Sequence, residues 1–430
     1  MIDHTHAATA SSWVPGADAH TDFPIQNLPL GIFSPGDGVR RLGVAIGDHI
    51  LDLAAVAQHF PAETVALVVG QQTLNPLFSA PSALRVALRH AIFGLLSDGA
   101  FQPSVAPSLH KAADCVVHMP MAVRDYTDFY AGIHHARSVG SLLRPDNPLL
   151  PNYKYIPVGY HGRASSIRPT GTAVVRPNGQ IRPKHDEAPA VGPTMRLDYE
   201  VEIGLWAAGQ SELGKPIPIS EAAQHIGGLC LLNDWSARDI QAWEYQPLGP
   251  FLGKNFATTI SPWVITTEAL APFRTGLASR SEGDPAPLPY LDDAEDAANG
   301  LFNVFIEVAI LSPAMKARGD RPHVVGRTYL RHLYWTPAQM VAHHTINGCD
   351  LAAGDLLGTG TISGPGKSSR GSLMELTLGG KCTFELPCGG KRTFLEDGDE
   401  VVLTGYAETG NYRRIGFGTC RAEIQPAPKI

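Results

Sequence analysis

The stretch DYTDFYAGIHHARSVG, residues 125–140, sets two acids, two tyrosines and two adjacent histidines in one short span. Asp128 with His134 or His135 suits a metal site, a proton-transfer pair or a polar loop end, and the residues alone leave all three open. A second pattern is LDYEVEIG. In a strand, Asp198, Glu200 and Glu202 fall on one face while Tyr199, Val201 and Ile203 fall on the other. Three carboxylates on one face repel unless water or a cation intervenes. An exposed strand face and a hard-cation site both fit, since Ca²⁺ and Mg²⁺ select clustered carboxylate oxygens.

A third pattern is LCLLNDWSARDIQAWEYQPLGPFLGKNF, residues 229–256. An apolar strand ends at Asn233 and Asp234, a helical turn sets Arg238 and Gln241 on one face at i,i+3, and Lys254 follows a Gly-Pro loop. Surface pairs of this kind are common and inert, yet a strand end running into a polar turn is where sites are often built. The loop VGYHGRASS (158–166), with Tyr160, His161 and Arg163, could hold an anion on its backbone N–H groups. It lacks the spacing of a phosphate loop. In GSLMELTL, Glu375 stands among apolar residues. As a strand residue it would face solvent; facing inward it would need a partner, and a histidine that it orients as a general base is the obvious one.

Two motifs carry nothing. Gly360 and Gly366 are one residue too far apart for a nucleotide loop, and His343-His344 lacks the HExxH arrangement of a zinc helix.

Something must position these groups. The 430 residues include 44 Gly and 35 Pro, a turn-rich composition that suits β architecture. RLGVAIGDHILDL (41–53) reads as a hairpin, 81–98 as a helix bounded by Pro81 and Gly99, and TPAQMVAHHTINGCD (336–350) as a helix capped by Thr336. Residues 102–120 lack periodicity and suggest a domain boundary. Residues 274–297 are polar and Pro-rich, so an exposed loop is expected there. The net charge of -7 with scattered basic residues argues against nucleic acid. The first 22 residues have no signal-peptide pattern and are expected to fray, and no apolar run is long enough for a membrane span. Six cysteines without a CxxC pair point to reduced thiols, so a cytoplasmic location is expected.

DYTDFY, PVGYHGRASS, NDWSARDIQAWEY, PLGPFLGK, HHTINGC, GTISGP, EDGDEVVLTGY and RIGFG together resemble the fumarylacetoacetate hydrolase family, as do DFPIQNLPLGIFS and RLGVAIGDHILDL near the N-terminus. The resemblance runs from about residue 22 to about 425. It implies a mainly β fold with some α: a small SH3-like β-barrel with a helical insert over 1–118, then a larger β-roll catalytic domain over 119–430, paired as a homodimer. It implies hydrolysis of a C–C bond in fumarylacetoacetate, the last step of tyrosine and phenylalanine catabolism. The implied metal ligands are Asp128, Glu200, Glu202 and Asp234, with Lys254 and Thr258 beside them, around Ca²⁺ or Mg²⁺. The implied general base is His135, oriented by Glu375, with Arg238, Gln241 and Lys254 stabilising negative charge. Tyr130, Arg144, Tyr160, Tyr245 and Thr361, together with Arg238 and Gln241, match substrate-contacting positions. Two features depart from the family pattern: His134 stands next to the base, and GPGKSSRGSLMEL carries a basic stretch.

Overall fold

The computed structural model describes residues 1–36, 38–182 and 188–430. Near the N-terminus, the expected hairpin forms from Arg41–Ile46 and His49–Asp52. It joins a five-stranded sheet with Leu30–Pro35, Leu109–Lys111 and Cys115–His118. The last two strands lie in the aperiodic 102–120 segment. Three- and four-residue strands are too short to register a period, which is why the sequence hides them.

The helix expected over 81–98 spans Ser82–Ser97, burying Leu88, Ile92, Leu95 and Leu96 on one stripe. It also buries Arg89, whose guanidinium donates to Thr5 Oγ1 at 3.0 Å, Gln26 O at 2.6 Å and Asn27 O at 2.7 Å. This corrects the expectation of a frayed N-terminus. Asp3 caps a short helical turn (His4–His6) and lies 2.7 Å from His90 Nε2, and Thr5 is fully buried. Side-chain hydrogen bonds fasten the segment where apolar content is low.

The site is carried by a second, mixed sheet of eight strands. Its relevant members and their flanking helices are, in chain order, β1 (Tyr126–Phe129), α1 (Ile133–Leu143), β2 (Val201–Ala207), β3 (Ile226–Asp234), α2 (Arg238–Glu244), β4 (Thr258–Ile260), β5 (Leu356–Gly358) and α3 (Leu373–Leu376). Across the sheet, β1 pairs parallel with β5, and β5, β2, β3 and β4 then pair antiparallel in turn. β3 is buried along its whole length because each face meets a different core. Leu229 and Leu231 pack into the larger core with Trp235 and Phe417, while Cys230 and Leu232 pack into the core of the N-terminal half with Trp206 and Phe78. A strand apolar on both faces reads as a continuous run, and LCLL is that run. A five-stranded sheet of Val304–Leu311, His323–Tyr329, Glu400–Ala407, Ile415–Gln425 and Val174–Val175 backs the larger core.

The expected C-terminal helix forms as Pro337–Thr345, with Thr336 Oγ1 accepting from Gln339 N at 3.0 Å. The 274–297 segment is less open than expected. It contains Pro289–Leu291 and the start of Ala294–Asn299 as helical turns, buries Leu291, and ties Asp284 to Lys154. Among the described residues all six cysteines are free, and no helix is long and apolar enough to cross a membrane.

Candidate active site

Register decides which acids meet. β5 places Gly358 opposite Asp128 of β1 and opposite Gly204 of β2, and β3 carries Asp234 at its end. Asp128, Glu202 and Asp234 therefore converge, with one oxygen from each lying within 4.8 Å of the others. All three are buried. Gly358 makes room for them: a Cβ there would stand 3.0 Å from both Asp128 Oδ1 and Glu202 Oε2, and 2.9 Å from the Tyr126 hydroxyl.

The cluster is under-compensated. Tyr160 donates its hydroxyl to Asp128 Oδ2 at 2.7 Å, and Gly360 N donates to Glu202 Oε2 at 2.9 Å. Asp128 Oδ1 and Glu202 Oε1 have no partner, although both are buried. Burial first, and then Asp234, push the Asp128 carboxyl well above its ordinary range; burial, Asp128 and Asp234 do the same to Glu202. Asp234 is also raised by burial, against the pull of Lys254. Buried like charges with free lone pairs are costly unless a cation shares them. An all-oxygen donor set suits a hard divalent ion such as Ca²⁺ or Mg²⁺. The residues therefore fit such a cation.

Glu200 stands one step aside. Its carboxylate meets Lys254 Nζ at 2.5 Å and Arg238 Nη1 at 2.6 Å, and lies 3.7 Å from His135 Nε2. Burial alone would raise its pKa, but Lys254, Arg238 and His135 outweigh burial and hold it well below the carboxylate range. Lys254 also bonds Asp234, and Thr258 Oγ1 donates to Asp234 Oδ1 at 3.4 Å. A cavity of about 180 Å³ opens against Asp234, Lys254, Thr258 and Tyr160.

On the other side of Glu200, α1 presents His135 from its first turn. Its Nδ1 is 2.7 Å from Glu375 Oε2, across 240 residues of sequence. The same oxygen accepts from Ser363 Oγ at 2.7 Å and Ser372 Oγ at 3.0 Å. Burial would raise the Glu375 carboxyl, yet His135, Ser363 and Arg370 together lower it. A carboxylate so held fixes the imidazole and leaves Nε2 facing the site. Tyr130 packs edge-on to that ring, with centroids 5.5 Å apart. His134 turns away and packs against His332.

The strand expected around Glu375 is replaced by the short helix α3, capped by Ser372. Ser372 and Glu375 stand at the spacing of a capping box, a helix-start signal that the apolar run GSLMEL obscured. Tertiary pairing with His135 turns the acid inward. Asp198, Glu200 and Glu202 do not form one carboxylate face either. The strand is interrupted after Asp198, and the three acids meet Arg238, Lys254 and Asp128 respectively.

Of the remaining expected residues, Gln241 accepts from Arg238 Nη1 at 3.3 Å. Thr361 is buried with its hydroxyl unpartnered. Arg144 and Tyr245 lie at helix ends, where Arg144 reaches Pro148 O at 3.5 Å and Tyr245 follows α2 as its cap. Sequence reading missed Ser363 and Arg370, because a small hydroxyl and a lone arginine carry no spacing signal of their own, and it missed Ser372 because the apolar run hid its capping-box spacing.

Comparison with known proteins agrees along the chain. Residues 26–120 match the family profile described as Fumarylacetoacetase N-terminal, and residues 125–425 match the one described as Fumarylacetoacetate (FAA) hydrolase C-terminal. A fumarylacetoacetase of Caenorhabditis elegans is 46% identical, over 95% of this chain and 97% of that protein. Those of Rattus norvegicus and Homo sapiens are 43% and 42% identical, each over 97% of this chain and 99% of theirs. A solved structure from Mycobacterium smegmatis aligns with a TM-score of 0.51 at 20% identity, over 93% of this chain and 100% of that one, a likeness of fold.

Proposed function

The chain belongs to the fumarylacetoacetate hydrolase family, and from that membership we propose that it hydrolyses the C–C bond of 4-fumarylacetoacetate to fumarate and acetoacetate. The observation that carries the chemistry is the buried His135–Glu375 pair, 2.7 Å apart, standing across Glu200 from the acidic cluster.

His135 Nε2 takes a proton from water as the oxygen attacks the fumaryl ketone carbon. Glu375, kept ionised by His135 and the hydroxyls of Ser363 and Ser372, accepts Nδ1–H and steadies the imidazolium. Arg238, Gln241 and Lys254 supply the polar groups for charge that develops on the attacked carbonyl and for the substrate carboxylate. The C–C bond then breaks, its electron pair leaves with the acetoacetate carbon, and His135 returns the proton there. Tyr130, Arg144, Tyr160, Tyr245 and Thr361 line the substrate. Asp128, Glu202 and Asp234, with Glu200 and flanked by Lys254 and Thr258, would hold a divalent cation, Ca²⁺ or Mg²⁺, which supplies Lewis-acid stabilisation of negative oxygen.

The same reading assigns an SH3-like barrel to 1–118, a β-roll to 119–430, a homodimer, a cytoplasmic location and the terminal step of tyrosine and phenylalanine breakdown. Product analysis tests the reaction. Equimolar fumarate and acetoacetate are expected from fumarylacetoacetate, while release of CO₂ or a hydrated product would identify a different reaction.

A further inference from the structure

Asp198 is fully buried and takes no part in the acidic cluster. Its Oδ1 accepts from Leu373 N at 2.7 Å, and its Oδ2 accepts from Met374 N at 2.9 Å. Arg238 Nε donates to the same Oδ2 at 2.9 Å, and Nη2 lies 2.8 Å from it. Leu373 and Met374 open α3, where backbone N–H groups have no helical partner. Ser372 Oγ takes the next one, from Glu375, at 3.3 Å. One carboxylate thus binds two elements. On one side it grips the turn whose third residue, Glu375, holds His135. On the other it fixes one edge of Arg238, leaving Nη1 to face Glu200 Oε1 at 2.6 Å and Gln241 Oε1 at 3.3 Å.

We infer that Asp198 is a positioning residue for the reaction: one buried carboxylate that sets both the Arg238 guanidinium and the helix turn carrying Glu375. Without its charge the guanidinium keeps Glu200 as its one charged partner, beside the Gln241 amide oxygen, and moves toward that carboxylate. Two N–H groups of α3 also weaken their anchor, so Glu375 drifts from His135 Nδ1. Displacement of this kind at a catalytic group costs about 100-fold when it approaches 1 Å.

The inference rests on the hydrolytic reading above, and the test separates the two. Wild-type protein that fails to turn over fumarylacetoacetate defeats that reading. With active wild type, D198N is expected to lower kcat about 100-fold and to change KM by less than about 10-fold. In the R238Q and E375Q backgrounds it should lower kcat by clearly less than about 100-fold further, because in each of them one of the two residues through which Asp198 acts is already removed. A folded D198N with kcat within about 3-fold of wild type, altered only in thermal midpoint, overturns the inference, as does a full additional 100-fold loss in both backgrounds. Should D198N not fold by near-UV circular dichroism, D198E takes its place with the same criteria, since it keeps the charge and displaces it by one methylene.

Discussion

At the scale of single residues, Glu375 has a buried carboxylate oxygen shared by His135, Ser363 and Ser372. Glu375→Gln keeps the shape but offers an amide that cannot hold the imidazole in one tautomer, so kcat should fall by about 100- to 10,000-fold with little change in unfolding midpoint. Steady-state kinetics beside a thermal melt measures both. Ser363→Ala removes one donor to a buried charge and should destabilise by about 1.5–3 kcal/mol, read from urea unfolding. Residue types and alternation marked the acids and one of His134 and His135 as possible chemical groups, and it was the family resemblance that singled out His135 with Glu375 before any fold was known. They did not say that Asp198, Glu200 and Glu202 would part company, because alternation holds only while the strand continues, and it breaks after Asp198.

At the scale of elements, the site depends on register. Gly358 lies where β5 crosses between Asp128 and Glu202. Gly358→Ala presses a methyl between them and should weaken divalent-ion affinity by about 10- to 100-fold, measurable by isothermal titration. Unchanged affinity would show that the two acids do not act together. A second element-level contact is Asp296, which accepts from the Thr336 cap at 2.6 Å. Burial first, against the Thr336 hydroxyl, pushes its carboxyl up to about 6 from an ordinary 3.8. The folded chain then holds a proton that the unfolded chain has lost between those values. Stability from this group is present below the window and is lost as pH rises through it. Asp296→Asn should therefore be relatively more stable than wild type at pH 7 than at pH 4, by on the order of 1–2 kcal/mol after discounting partial exposure. Helices and long strands were legible from caps and periods, as at Thr336 and in the LCLL run. The short strands at 109–118 and the helix turn at Glu375 were not, since three or four residues carry too little pattern to outweigh tertiary pairing.

At the scale of the whole molecule, residues from Asp128 to Glu375 must be brought together by the mixed sheet before any chemistry exists. The packing of the first residues against Ser82–Ser97 was illegible because it rests on side-chain hydrogen bonds from Asp3, Thr5 and Arg89 rather than on apolar spacing. If a cation relieves the repulsion among the buried acids, chelation should lower the thermal midpoint as well as abolish activity, and excess Mg²⁺ or Ca²⁺ should restore both. A hundredfold excess over Kd corresponds to about 2.7 kcal/mol. The most direct test of the whole account is turnover of fumarylacetoacetate by wild type and by His135→Ala, each saturated with divalent cation. The account predicts release of fumarate and acetoacetate by wild type and a fall in kcat of about 100- to 10,000-fold in the variant; a variant that retains near wild-type kcat would contradict it.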